Sequence, residues 1–451
     1  MIDILALLQC LAPYTTPTTL RQMSHILSAI LTMSGRVTML GISRWAGKGG
    51  SYRTVQRFFY TVMPWAMMFW LFFRQHLFNP GDVYLLAGDE CVVPKAGKRT
   101  YGLDRFFSSL YGRPVPAIAF FALSLISTQK RQSYPIQVEQ MVRSAAKKTT
   151  AKAKAKGRKQ QKKKAAKRPV GRPKGSKNKD KTQVTLTLEL QLIKTMIQKL
   201  LLLLNGCFTL TYLVLDGHFG NNNALQMARH CGLHLISKLR RDAALYLPYH
   251  GPYSGHGPRR KYGDKIDYGN IPNKYLQQTT VEKNIQTDIY QARMLHKEFA
   301  QALNVVIIVK TNLDTQAQAH VILFSSDLDL PYDKLIDYYG LRFQIEFNFR
   351  DAKQYWGLDD FMNIKPTAVT NAANLSLFMV NVAHRLLRDF RQQNPHYGVL
   401  DLKAHCRGHK YATETLKLLP QMPEPILLAQ IYDRITRLGG IHTAKPVFSS
   451  P

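Results

Sequence analysis

The sequence predicts a mixed α/β protein with helical segments at both ends, and three observations carry that reading. Apolar residues recur at helical spacing up to about residue 78. β-rich runs take over from about residue 82, and helical spacing returns near residue 332. At 451 residues the chain has material for two or three domains, and a composition 45% hydrophobic and 10% aromatic excludes wholesale disorder. Cys10, Cys91, Cys207, Cys231 and Cys406 are scattered, which argues against a disulfide framework or zinc ribbon and fits a reducing compartment. An acid, Asp3, stands where a secretory leader needs positive charge. The longest apolar runs, 62–73 and 115–126, are 12 residues each, short of a membrane span. A cytoplasmic protein with no membrane partner is expected.

At the N-terminus, residues 20–32 read as a helix that stops at Ser34-Gly35, and residues 38–46 as a second. Gly47-Lys48-Gly49-Gly50 then makes a turn, and Ser51 is placed to cap a third helix running to about Tyr60. Arg53 and Arg57 lie four apart on one face of it. Helix, Gly turn and basic helix is the outline of a helix-turn-helix DNA reader, and equally of a plain bundle with a solvated basic face.

The run at 83–93 is a strand carrying Asp89 near its end. Residues 117–127 and 134–141 read as a hairpin beside it. Further on come an apolar helix at 187–205, a strand at 208–215 ending in Asp216-Gly217, a helix at 222–232 and a strand at 235–239. Residues 242–285 are rich in Gly, Pro and Tyr, and apolar strands follow at 305–310 and 321–324, so 242–330 reads as a largely β insertion. One helix is expected from near Tyr332 towards Trp356, and the C-terminal hundred residues look helical, most clearly at 371–391. The expected domains are therefore 1–78, helical; 79–241 with 331–365, an α/β core; 143–182, a basic tract; 242–330, the insertion; and 366–451, helical.

Charge narrows the function. Lys plus Arg number 62 against 29 Asp plus Glu, a net +33. Residues 143–182 hold 18 of the bases and one acid, so without them the balance is 44 against 28, still +16. Basicity of both tract and core points to a nucleic-acid partner, because each neutralised phosphate releases counterions. An anionic membrane would need an apolar face that the tract lacks. Within the tract, Arg168-Pro169-Val170-Gly171-Arg172-Pro173-Lys174 resembles an AT-hook, with Arg168, Arg172 and Lys174 as candidate minor-groove contacts. A solvated, non-specific polycation is the alternative.

Asp89 and Asp216 sit at strand ends, where open sheets gather their sites. Hard oxygen ligands of this kind suit two divalent metals and in-line phosphoryl displacement. Further on, Tyr339, Arg342, Glu346 and Lys353 are offset by 3, 7 and 14 residues. On one continuous helix they would share a stripe about 60° wide, with Asp337 and Asp351 on the opposite side. His218, two residues after Asp216, is a further possible ligand, more often a structural residue. Cys406-Arg407-Gly408-His409 is too short for a zinc site.

Tyr, two residues, Arg, three residues, Glu, six residues, Lys is the spacing of the YREK signature. Over roughly residues 20–390 the chain resembles the bacterial insertion-sequence transposases of the DDE type that carry it, the cut-and-paste, hairpin-forming enzymes. Phe343 stands where relatives often have Trp, and the tract lengthens the interval between the two aspartates. The resemblance implies a ribonuclease H-like core with a β-rich insertion. It implies Asp89, Asp216 and Glu346 as catalytic and metal-holding acids, with two Mg²⁺ (Mn²⁺ substituting) per site. It also implies Arg342, Lys353 and Tyr339 on phosphates, double-stranded DNA of element ends and target as partner, a homodimer in the DNA-bound complex, and a bacterial, nucleoid-associated location. An insertion aromatic that stacks on a flipped base is left open among Tyr246, Tyr249, Tyr253, Tyr262 and Tyr268. The competing functions are a domesticated DNA-binding regulator with a dead core and a general metal-dependent nuclease.

Overall fold

The structure, a computed structural model, describes residues 2–108, 111–143, 180–253 and 255–442. Arg168, Arg172 and Lys174, with the AT-hook reading that rests on them, lie outside those residues.

Twelve strands among the described residues form one mixed sheet. At its heart is β1 (Tyr84–Pro94), whose first five residues are buried. β3 (Arg113–Ser127) runs antiparallel along one side of β1, and β4 (Gln132–Met141) and the short β2 (Asp104–Ser108) share the far edge of β3. Sequence periodicity does not reveal β2. On the other side of β1 lies β5 (Tyr212–Leu215), parallel and in register Gly88↔Leu215, followed by the parallel β6 (His234–Lys238). Residues 242–330 contribute β7 (Leu245–Pro248), β8 (Tyr262–Lys265), β9 (Leu276–Glu282), β10 (Ile285–His296), β11 (Leu303–Asn312) and β12 (Gln318–Ser325). Because β12 hydrogen-bonds antiparallel to β6, this segment continues the same sheet.

The N-terminal helices are α1 (Ile4–Leu8), α2 (Pro17–Thr32), α3 (Met39–Ala46), α4 (Tyr52–Tyr60) and α5 (Trp65–His76). Ser51 caps α4 by accepting from the Thr54 amide. The turn before it needs glycine, since a Cβ on Gly50 would fall 2.0 Å from the Ala46 Cβ. Next come α6 (Leu188–Leu204), capped by Thr187 and closed by the left-handed Asn205, and α7 (Asn222–His230). The C-terminal part holds α10 (Pro366–Gln393), α11 (Val399–Leu416) and α12 (Pro425–Arg437), after α8 (Tyr332–Leu341) and α9 (Gln344–Gln354).

One apolar core joins the two ends of the chain. Buried Phe378 of α10 contacts Trp65, Phe69 and Phe72 of α5. Asn371, 1% exposed, donates its amide to the Phe59 and Thr61 carbonyls at the end of α4 and accepts from the Trp65 indole. Three cations spaced along α11 cap the carboxyl ends of N-terminal helices. Lys403 donates to the Ile30 carbonyl, Arg407 to that of Thr32, and Lys410 to that of Trp45.

The single helix expected from Tyr332 to Trp356 is two. Between α8 and α9 the backbone tightens to bonds three residues apart, with Phe343 N–H on the Gly340 carbonyl, Ile345 on Arg342 and Glu346 on Phe343. Arg342 and Phe343 keep right-handed dihedrals, so the step changes the rotation per residue.

Candidate active site

Asp89 follows a glycine that packing demands. A Cβ on Gly88 would meet the Phe121 ring at 2.8 Å and Leu215 at 3.0 Å. The expected strand-end position holds for Asp216, which directly follows β5, but not for Asp89, which lies midway along β1 and pairs with Ala122 of β3. The parallel register Gly88↔Leu215 sets the two side by side where β5 ends. Asp216 caps the short turn Gly217–Phe219 by accepting from the His218 amide, and Ser237 of β6 donates to its carbonyl. Arg342, at the end of α8, and Glu346, in the first turn of α9, are four residues apart and reach the same place. Arg342 Nη1 donates to Asp89 Oδ2 at 2.7 Å, and Nη2 reaches Glu346 Oε1 at 3.4 Å.

The cluster is electrostatically tense. Burial raises the Asp89 pKa. Arg342 and the Glu90 amide pull it down, while Asp216 and Glu346 push it up. Burial likewise raises the Tyr339 phenol, which also hydrogen-bonds Arg342. For Arg342 itself burial opposes the charge, but Asp89, Tyr339 and Glu346 outweigh it and the guanidinium is held more firmly protonated. The structure thus gathers Asp89, Asp216, Tyr339, Arg342 and Glu346. Lys353 is drawn aside, donating to the Val92 carbonyl further along β1 at 2.9 Å. Lys353 keeps the Glu346 face of α9 but stands about two turns further along the same helix, so it meets β1 at Val92, past Asp89, rather than the acids. Asp337 pairs with Arg131, and Asp351 with Arg350, which also packs over Phe347. His218 turns from Asp216 towards Glu189 of α6, at 3.6 Å, and is 68% exposed.

Among the described residues, no group of three or more His, Cys, Asp and Glu side chains is arranged to hold a metal ion. The donor chemistry of Asp89, Asp216 and Glu346 suits a hard divalent cation, yet the oxygens of two of them are engaged by Arg342.

Arg53 and Arg57 are exposed on α4. Tyr52, Gln56 and Tyr60 share their face, at offsets of 4 and 8 from Tyr52, a helical repeat as visible in the sequence as that of the two arginines. Lys365 packs 4.7 Å over the Tyr60 ring. Nothing local announces it, because it comes from a segment three hundred residues later. Of the aromatics in 242–330, Tyr246 and Tyr262 pack together, Tyr249 lies under Arg260 and Tyr268 stacks on His320. Tyr253 is 51% exposed, its hydroxyl on the Gly257 carbonyl. None of the described helices is long and apolar enough to cross a membrane.

Residues 6–301 match the family described as DDE superfamily endonuclease. That is about two-thirds of the chain, and the chain belongs to this family. The match spans Asp89 and Asp216 and stops before Glu346. No curated protein matches the chain. The family makes the protein a nuclease or transposase with DNA as its partner.

Proposed function

We propose that the protein is a cut-and-paste DNA transposase that binds the terminal inverted repeats of its own mobile element and cleaves and rejoins DNA there. The observation that carries this reading is the Arg342 bridge. It ties Glu346, outside the family-matched segment, to Asp89 inside it. The strand order β4-β3-β1-β5-β6, with β1, β5 and β6 parallel, supports a ribonuclease H-like core, and residues 242–330 would be its insertion.

In this reading Asp89, Asp216 and Glu346 hold divalent cations, Mg²⁺ or Mn²⁺, which supply Lewis acidity for the attacking and leaving oxygens of phosphoryl displacement. The chain's own groups position the DNA. Arg342 presents a planar fork to a phosphate beside the cut, and Tyr339 donates to a phosphate oxygen. Lys353 adds charge beside β1. End recognition falls to α4. Residues 4–81 contain seven Lys or Arg and no Asp or Glu, and Arg53, Gln56 and Arg57 are side chains able to read base edges. We further propose that the DNA-bound form is a homodimer.

The test is a duplex bearing the inverted repeat that flanks the gene, incubated with protein and Mg²⁺. The reading expects a cut at the repeat boundary and none in a scrambled duplex. Equal cutting of both would favour a general nuclease, and binding without cutting a regulator.

A further inference from the structure

Arg342 is placed between carboxylates, and how it is bonded there bears on how the site is charged. Its fork is split: one terminal nitrogen serves Asp89 and the other Glu346. The third nitrogen, Nε, is buried and has no hydrogen-bond partner among the described residues. A paired grip on one acceptor would use Nε with a terminal nitrogen. The split grip leaves a buried N–H unpaired, which costs stability. The Arg342 side chain is only 14% exposed, so its positive charge is felt strongly by the acids around it. The carboxylates in turn need a cation, since Asp89 feels both Asp216 and Glu346 as repulsive neighbours.

The oxygens that receive Arg342 are the ones a divalent ion would need. A 2+ ion and a guanidinium cannot share Asp89 Oδ2 and Glu346 Oε1 without like-charge contact. A DNA phosphate offers Arg342 a better partner, because its oxygens can accept from Nε and a terminal nitrogen together.

We propose that Arg342 and a divalent cation compete for Asp89 and Glu346, and that a DNA phosphate, by taking the guanidinium, releases the carboxylates, so that the site binds metal tightly only with DNA in place. This rests on the three-carboxylate reading above. It gives Arg342 two alternating partners, acids without DNA and phosphate with it, and makes DNA and metal binding mutually reinforcing. Such coupling would keep the endonuclease from arming itself away from its substrate.

The test is Mn²⁺ affinity of the full chain, read from the resonance of the free ion, with and without a short duplex. An Asp89→Ala/Glu346→Ala protein and the duplex alone define the background. Wild type should bind Mn²⁺ about tenfold tighter with duplex than without. Arg342→Gln should already bind about tenfold tighter than wild type without duplex, and duplex should add less than about twofold. Arg342→Lys, which keeps the charge but cannot bridge both acids, should fall between them. It also serves if the Gln variant does not fold, and the rise of Tm with Mn²⁺ gives an independent readout of the same order. Arg342 variants no tighter than wild type without duplex, or wild-type affinity indifferent to duplex, would overturn the competition. If no protein binds Mn²⁺ above background even with duplex, the carboxylate reading itself fails, a different result from indifference to Arg342.

Discussion

Asn371 offers a severe test of how α4, the proposed DNA-reading helix, is held. Its side-chain amide makes two short bonds to carbonyls at the end of α4, at 2.8 and 2.7 Å, and its oxygen takes the Trp65 indole at 2.7 Å. Asn371→Leu keeps the volume near and removes all three. Each buried group left without a partner costs about 1–3 kcal/mol, and the partly buried Thr61 carbonyl recovers some of its share from water. The loss is then about 3–6 kcal/mol, and at roughly 2 °C per kcal/mol for a chain of this size Tm should fall about 6–12 °C. Thermal unfolding followed by circular dichroism reads this directly. Affinity for the end duplex should fall with it, because α4 loses its anchor. A Tm within about 2 °C of wild type, with unchanged end binding, would refute the claim that α10 fixes α4 in place.

Three further outcomes are expected. Deleting residues 147–181 should leave the Tm nearly unchanged while flattening the slope of log affinity against log salt, since fewer counterions are released; an unchanged slope would mean the tract does not touch DNA. Arg342→Lys should reduce excision of a marked element by at least about tenfold, whereas Arg350→Lys and Asp351→Ala, whose side chains pair with each other, should be mild; equal damage from Asp351→Ala in a folded protein would misplace the site. Buried His384 has its pKa driven from 6.5 to about 3, by desolvation and then by Arg391. The unfolded chain therefore takes up this proton first, and stability falls as pH drops from about 6.5 towards 3, at up to about 1.4 kcal/mol per pH unit. His384→Gln should remove that part of the slope in denaturant unfolding measured across this range, and identical slopes would contradict it.

Much of the site was legible because its signals are local. Asp89 follows the five buried residues that open β1, Asp216 directly follows β5, and Tyr339, Arg342, Glu346 and Lys353 keep a fixed spacing. The tightened step at Arg342–Phe343 was not legible. No proline marks it, both residues stay right-handed helical, and the groups Arg342 engages include Asp89, brought in from another part of the chain. Lys353 keeps its spacing on the Glu346 face of α9, but its partner, the Val92 carbonyl of β1, comes from another part of the chain. β2 is short and paired only along one strand, and the continuity of β12 with β6 is a long-range pairing that no local pattern encodes. In contrast, α4 could be read almost to the residue, because its Gly turn, Ser cap and basic face are all written in contiguous sequence.

If Asp89, Asp216 and Glu346 form one DNA-cutting site, Glu346 is the member to test first, since residue 346 lies beyond the family-matched segment. The decisive measurement is single-turnover cleavage of the end duplex in Mg²⁺ by Glu346→Gln, a change that removes the charge and keeps the shape, with end binding measured in parallel. The account predicts a rate lower by at least about 10²–10³-fold with binding within about threefold of wild type. Cleavage by Glu346→Gln at close to the wild-type rate would remove Glu346 from the site and contradict the account.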